Sequence, residues 1–562
     1  KKTIYLYLTT NNANTMFANF KQWGGILSIS MLLMMSCNSK EKVDLIVKNA
    51  TIYTVDADFS VHQSMAVSNG KIIAIGNNQT IDSTYSAKNI VDLKGKPVYP
   101  GFIDPHCHFL GYGLSLRNAS LAGAASWAEV VNRLVDHQKE FPTEWVLGRG
   151  WNQNEWDVKE FPTKDLLDKA FPDKPVLLTR IDGHAAIANS KALALAQFSP
   201  NTTINGGEII KLNGEPTGVL IDNAIGLVSS VVPAATKTDK ITALAKAQAN
   251  CFAVGLTSVS DAGTSLSDAL LFDELQQDGS LAMRINVMLN PSQENYDHYL
   301  SKGVYTTDHL SVRTVKLFAD GALGSRGALM LEPYTDAPGT KGLQLDSKET
   351  LRGACEQAAK AGYQVATHCI GDAAARLMID IYEDFLTPGN DLRWRIEHAQ
   401  TIHPTDLPRF GGLAIIPSIQ TTHATSDMIW AVDRLGERIK YAYTYQDLLK
   451  QNGWLANGSD FPIEHINPLY GFYAGVAREN LEGFPPSGFQ MENALTREQA
   501  LRAMTIWAAK SAFEENMKGS LEPGKVADFV VLEDDLMKAP ADVLAKLKVI
   551  KTYVNGELVF SL

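Results

Sequence analysis

The stretch Val98-Tyr99-Pro100-Gly101-Phe102-Ile103-Asp104-Pro105-His106-Cys107-His108 decides the reading of this chain. It is an apolar run that ends in two histidines. Residues two apart on a strand project to the same side. His106 and His108 can therefore converge on one metal ion, while Cys107 faces away. Alone, a His-x-His pair is a weak signal. Its weight comes from further polar residues, each of which also closes an apolar run.

Working outward, the middle of the chain alternates strand-like and helix-like segments. Eight apolar strands stand out: 98–104, 256–261, 285–290, 314–319, 364–368, 394–398, 413–419 and 454–459. Strands that alternate with helices predict a parallel sheet, and eight such units predict an α/β fold of the (β/α)8 TIM-barrel type. Residues 111–243 exceed any normal crossover, so they read as a subdomain inserted after the first strand. Both chain ends are rich in short strands with turns. Asn69-Gly70 and Asn555-Gly556 are hairpin signals. Residues 43–98 and 520–562 are thus expected to build one small β-sandwich around a barrel spanning 99–519.

The polar residues fall at the C-terminal ends of the predicted strands, where barrel enzymes carry their chemistry. They are His106 and His108, Lys316 in Val315-Lys316-Leu317-Phe318-Ala319-Asp320-Gly321, and His368 in Thr367-His368-Cys369. His398 in Glu397-His398-Ala399 and Asp460 in Gly458-Ser459-Asp460-Phe461-Pro462 complete the set. Taken singly, each has an ordinary structural reading. Taken as one ordered series on one barrel, they read as a metal site.

Composition bounds the alternatives. The chain has 562 residues, 45% hydrophobic and 20% charged, with a net charge of −11. That balance fits a soluble globular protein and disfavours a nucleic-acid partner, which needs a basic surface. The N-terminal region reads as targeting rather than fold. Met16 offers a start, Lys21 supplies the positive region, and an apolar segment runs from Trp23 to Ser36. It ends Leu33-Met34-Met35-Ser36-Cys37, which resembles a bacterial lipoprotein signal with Cys37 as the lipidated residue. The expectation is a lipid-anchored protein of the bacterial cell envelope, facing the periplasm or the outer surface, with membrane contact through that anchor alone. An export signal releasing a soluble periplasmic protein is the alternative. Cys107, Cys251, Cys355 and Cys369 form no C-x-x-C pair and are read as buried free thiols.

Together these stretches resemble the amidohydrolase superfamily, and most of all its amidohydrolase family 3 branch, which includes N-substituted formamide deformylase. The carrying stretches are Pro-Gly-Phe-Ile-Asp-Pro-His-Cys-His, Lys-Leu-Phe-Ala-Asp-Gly-Ala-Leu-Gly-Ser-Arg, Thr-His-Cys-Ile-Gly-Asp, Glu-His-Ala-Gln and Gly-Ser-Asp-Phe-Pro, with Gly524-Lys525-Val526-Ala527-Asp528-Phe529 near the end. The resemblance covers residues 43–562. It implies that His106 and His108 bind one metal and His368 and His398 a second. It implies that a carboxylated Lys316 bridges the two ions. Asp460 would ligate the first metal and act as general base. Two Zn²⁺ ions suit imidazole and oxygen ligands, with Fe, Mn or Ni compatible. The implied reaction is hydrolysis of an amide-type, non-peptide carbon–nitrogen bond of a small molecule by metal-activated water. A cyclic-amide hydrolase, a deacetylase, an isomerase and an inactive envelope binding lipoprotein stay open as alternatives, as does a homodimer.

Softer candidates remain, two of them from the resemblance and the others from their place beside the strands. Trp151 and His184 lie in inserted stretches that face substrate in such proteins, with core packing as the alternative. Arg326 follows the fourth strand and belongs either in the pocket or in a surface ion pair. His423 follows the seventh strand and either touches substrate or sits in a solvated loop. Asp104 is expected to accept hydrogen bonds within the first strand.

Overall fold

Eight parallel strands form one sheet in the computed structural model, which describes residues 40–199 and 202–562. They are β1 (Phe102–Cys107), β2 (Leu256–Thr264), β3 (Arg284–Leu289), β4 (Leu310–Phe318), β5 (Gln364–Cys369), β6 (Arg395–His398), β7 (Ile416–Ile419) and β8 (Ala456–Asn457). Each pairs in parallel with the next. Every residue of β1, β3, β5, β6 and β7 is buried. Helices cover the outside and side chains fill the inside, so these strands show no alternation of buried and exposed positions. The connecting helices begin on side-chain caps. Thr236 and Asp239 form a capping box for Lys237–Ala253, Ser265 caps Leu266–Gln277, and Ser347 caps Lys348–Ala361. The arrangement is a (β/α)8 TIM barrel with additional β structure.

β1 and β8 close the cylinder without a regular ladder. The Asp460 amide donates to His106 O and the His108 amide to Phe461 O, each at 2.8 Å. The Asp104 carboxylate staples the same seam. It accepts from the Ser459 hydroxyl at 2.6 Å and from the Ser459 amide at 3.1 Å. Its expected role as an acceptor therefore spans two strands. Gly458 permits this closeness, since a Cβ there would stand 2.5 Å from Asp104 Oδ1 and 3.0 Å from the backbone of His106.

One expectation about the first strand is corrected. Residues 98–100 do not belong to the barrel. Pro97–Pro100 pairs with Thr51–Tyr53 and Phe529–Leu532 in a separate six-stranded sheet. The chain changes sheets at Gly101, whose Cβ would collide with Thr257. That sheet also holds Val549–Val554 and Glu557–Ser561, joined across Asn555-Gly556. A four-stranded sheet made from residues 41–92 includes the Asn69-Gly70 hairpin. All four turn residues have φ between 51° and 74°, as a tight primed turn requires. Its edge strand Tyr85–Asp92 was invisible in the sequence because most of its residues are polar or exposed. Arg284 of β3 and Asp528, both buried, tie this region to the barrel through contacts of 2.6 and 3.1 Å.

Between β1 and β2 the chain builds a further six-stranded mixed sheet from residues 119–222, with its own apolar core. The four cysteines from Cys107 to Cys369 are free and buried. Among the described residues, no helix is long and apolar enough to cross a membrane. The expected signal and Cys37 lie outside the described residues.

Candidate metal centre

The six residues that end the predicted strands come together at the C-terminal end of the barrel. His106 and His108 leave β1 on the same side, and Asp460 meets them from the β8 loop. Asp460 Oδ1 lies 3.5 Å from His106 Nε2 and 3.3 Å from His108 Nε2. These three are the group of described residues whose ligand atoms cluster tightly enough to hold an ion, within 4.8 Å of one another. Lys316 Nζ of β4 reaches His106 Nε2 at 3.1 Å. His398 packs its ring 4.8 Å from that of His106, and His368 lies 4.5 Å from His398.

Tautomers follow from the hydrogen bonds. His108 Nδ1 faces Ala262 O at 2.9 Å. A carbonyl only accepts, so Nδ1 carries the proton and Nε2 presents its lone pair. His106 Nδ1 bonds to the Glu397 carboxylate. Burial by itself raises the Glu397 carboxyl, but the Arg395 guanidinium, bonding at 2.6 and 2.9 Å, outweighs it and keeps Glu397 ionised. His106 Nε2 is thus also a lone-pair donor. Both nitrogens point at Asp460 Oδ1, a buried oxygen with no hydrogen-bond partner. Burial raises the Asp460 carboxyl, while His108 and His106, when protonated, pull it the other way and below the usual carboxylate range. Three electron-pair donors converge, and one of them is an anion without a donor. That is the chemistry of a cation site.

The second pair is arranged alike. His368 Nε2 faces Gly321 O at 3.3 Å and Asp320 Oδ1 at 3.6 Å, leaving Nδ1 free. His398 Nδ1 bonds Gln420 Oε1 at 2.8 Å, leaving Nε2 free. Burial, reinforced by neighbouring imidazoles, pushes both rings well below the ordinary histidine value, so they are neutral. Lys316 is fully buried and makes no ion pair with a carboxylate among the described residues. Desolvation lowers its pKa to about 8, against the pull of Glu397 and Asp460. Two site residues, His398 (φ 71°) and Asp460 (φ 59°), hold left-handed backbone that non-glycine residues seldom adopt. These bends swing both side chains toward the centre.

Two cavities of about 680 and 1150 Å³ flank the cluster and share Asp182, His184, His368, His398, Asp460 and Ile463 as walls. They are two lobes of one cleft. The inserted sheet supplies His184, whose ring lies 4.8 Å from that of His368. Its Nδ1 meets Asp222 Oδ1 at 2.6 Å. Burial lowers the His184 pKa, but the Asp222 carboxylate outweighs that and raises it above the ordinary value. His423 also faces the cleft, with a buried Nε2 that has no partner.

Two expected substrate contacts are corrected. Trp151 is fully buried in the core of the inserted sheet, where Nε1 donates to Leu178 O at 3.0 Å, and it lines neither lobe. Arg326 turns away from the cleft and pairs with Asp336 at 2.9 Å, half-buried on the outside. Sequence reasoning gave no roles to Arg395, Glu397 and Asp320. Arg395 and Glu397 sit two apart on β6, both fully buried and inward-facing. A charged pair at i and i+2, flanking Ile396 in a predicted barrel strand, was the signal. Asp320 accepts from the backbone amides of Leu329, Ile370 and Gly371, pinning the loop that follows His368 to the one that follows β4.

Comparison with known proteins agrees with this geometry. The model of the Amidohydrolase family matches residues 89–560. The chain is 36% identical to "Protein LONG AFTER FAR-RED 3" of Arabidopsis thaliana, covering 92% of this chain and 91% of that one. It is 31% identical to the putative amidohydrolase YtcJ of Bacillus subtilis over 91% of this chain and 98% of the relative. It is 28% identical to the N-substituted formamide deformylase of Arthrobacter pascens over 92% and 98%. Among solved structures, an uncharacterized metal-dependent hydrolase from Pyrococcus horikoshii superposes with a TM-score of 0.73 at 30% identity, over 88% of this chain and 99% of the other. A family model spanning most of the length, and a barrel whose lone pairs converge on one anion, place the chain in the amidohydrolase family, as a metal-dependent hydrolase of carbon–nitrogen bonds other than peptide bonds.

Proposed function

We propose that the protein hydrolyses an amide-type bond of a small molecule, with His106, His108, Lys316, His368, His398 and Asp460 holding two divalent ions. The carrying observation is the orphaned Asp460 Oδ1, faced by imidazole lone pairs at 3.3 and 3.5 Å. Imidazole and carboxylate donors fit zinc best, with iron, manganese and nickel compatible. Bound there, such ions supply Lewis acidity toward the substrate carbonyl and toward water.

The residues divide the remaining work. Asp460 is ionised and buried beside the reacting centre, so it accepts the proton of the attacking water and returns it to the leaving nitrogen. The Lys316 amine, deprotonated in part near neutrality, adds to CO2; a C–N bond forms, a proton leaves, and the cation becomes an anionic carbamate facing the ions. His184 reaches the shared wall of both lobes and donates toward the oxygen that gains charge. The products are an acid and an amine.

The test is amine release from a panel of N-formyl and N-acyl amines, with Zn²⁺ or Mn²⁺ supplied. N-formyl amines lead the panel because one relative is named for that substrate class. About two ions per chain and turnover that vanishes in Asp460→Asn, with its melting curve retained, are expected. Wild-type rates in Asp460→Asn contradict the proton-carrier role.

A further inference from the structure

The two lobes of the cleft differ in charge. In the smaller lobe every cation is spent. The Arg180 guanidinium bonds Asp182 at 2.6 Å, Asn152 at 2.7 Å and Gln153 at 2.8 Å. The same lobe is walled by Glu155, Asp427 and Glu464, whose partners are hydroxyls and amides: Tyr443 and Gln400 for Asp427, and Ser426 for Glu464. Trp430, Leu323, Ile370 and Ile463 add apolar wall. This lobe suits a neutral or cationic group.

The larger lobe is the reverse. Arg149, from the inserted strand Val146–Trp151, lines it together with His108, Lys316 and Asp460. Its guanidinium makes one hydrogen bond, from Nη2 to Ile181 O at 3.0 Å. Among the described residues it forms no ion pair, and its Nε is buried without an acceptor. It packs over Gly183, beside His184; a Cβ at Gly183 would stand 3.6 Å from Nη2. Burial lowers its pKa, with Asp182 and Asp460 pulling the other way. A planar, desolvated guanidinium with open donors matches a carboxylate in shape and charge. Ser115, Asn118 and Thr179 add polar wall around the same space.

We infer that Arg149 is a specificity residue that anchors a carboxylate carried next to the scissile amide, so the substrate is an N-acylated amino acid or an amide of a dicarboxylic acid. This rests on the hydrolase reading above and names its substrate class. The smaller lobe, whose Arg180 is already paired and whose Asp427 and Glu464 carboxyls burial raises, offers the anionic end no free cation and fixes which way round the molecule lies.

The experiment uses the metal-loaded full chain and two matched pairs. N-formylphenylalanine and N-formylphenethylamine differ by a carboxylate on the amine side. N-succinylphenethylamine and N-butyrylphenethylamine differ by one on the acyl side. kcat and KM are measured for each, and calorimetry gives Kd for the same compounds. In one pair the carboxylate member is expected to win by about 10- to 100-fold in kcat/KM or Kd. Arg149→Gln removes that preference through KM, and Arg149→Lys restores part of it. Equal use of both members in both pairs, or a preference that survives Arg149→Gln, overturns the inference. Hydrolysis without carboxylate preference sinks the anchor and leaves the hydrolase reading intact. Carboxylate-selective binding without hydrolysis in any arm supports the anchor and sinks the hydrolase reading.

Discussion

Glu397→Gln separates the two things that Glu397 does. The wild-type carboxylate is fully buried and serves Arg395 at 2.6 and 2.9 Å and His106 Nδ1. The amide of glutamine has one oxygen and one NH2. If its oxygen stays on Arg395, its NH2 faces His106 Nδ1, which must then become an acceptor. The ring proton moves to Nε2, the atom that faces Asp460 and Lys316, and His106 loses its lone pair toward the ion. Losing such an orienting carboxylate costs about 10- to 100-fold in metal affinity, or about 1.4–2.7 kcal/mol. Arg395 keeps the glutamine oxygen, Pro105 O and the Ser418 hydroxyl, the last two at 2.8 Å, but has no anion. Breaking a buried pair in this way costs about 3–5 kcal/mol of folding stability. Two assays read the two effects apart. Melting of metal-stripped protein reports the Arg395 contribution. Metal retained after dialysis against graded chelator, measured by elemental analysis, reports His106. Wild-type metal affinity in a folded Glu397→Gln protein refutes the tautomer argument and removes His106 from the ligand set.

Other outcomes follow from the same geometry. Gly458→Ala forces the β1–β8 seam apart by nearly 1 Å, so a stability loss of about 1–3 kcal/mol is expected, together with weaker metal retention; unchanged melting and metal content contradict the close approach. Burial would raise the Asp528 carboxyl, but the Arg284 guanidinium outweighs it and lowers the pKa. Its contribution is therefore present above the unfolded value of 3.8 and fades as pH falls through the lower folded value. Asp528→Asn should lose about 3–5 kcal/mol at pH 7 in denaturant titrations and show a smaller acid-side decline than wild type. Arg326→Ala, which breaks an ion pair outside the cleft, is expected to leave kcat/KM within about twofold and stability within about 1 kcal/mol. Cys37→Ser, which removes the expected lipid attachment, should move the protein from the membrane to the soluble fraction of a bacterial host; an unchanged distribution counts against the anchor.

The barrel was legible because strands buried on both faces are rich in apolar residues, and because the polar exceptions able to ligate a metal sit at one end. His106, His108, Lys316, His368, His398 and Asp460 are such exceptions. What the sequence hid is what depends on neighbours rather than on pattern. Residues 98–104 form one apolar run, yet Gly101 divides it between two sheets. Trp151 and Arg326 carry the right residue types near the right stretches, but packing against Leu178 and pairing with Asp336 take them out of the cleft. Asp460 and His398 reach the centre through left-handed backbone that no residue type announces. Arg395 and Glu397, two apart on one strand, look like ordinary charged residues until burial shows that neither has water to turn to.

The joint between β1 and β8 unites the earliest and latest strands of the cylinder, and both flanks of that joint supply ligands. Capturing an ion across His106, His108 and Asp460 therefore acts as a clasp on the wall itself. Amide exchange at His108 and Asp460, whose N–H groups bridge the joint, should slow when metal is added, while amides of β3, which supplies no ligand, should hardly respond. Cells short of metal would then hold a protein whose barrel is intact but unlatched along one edge.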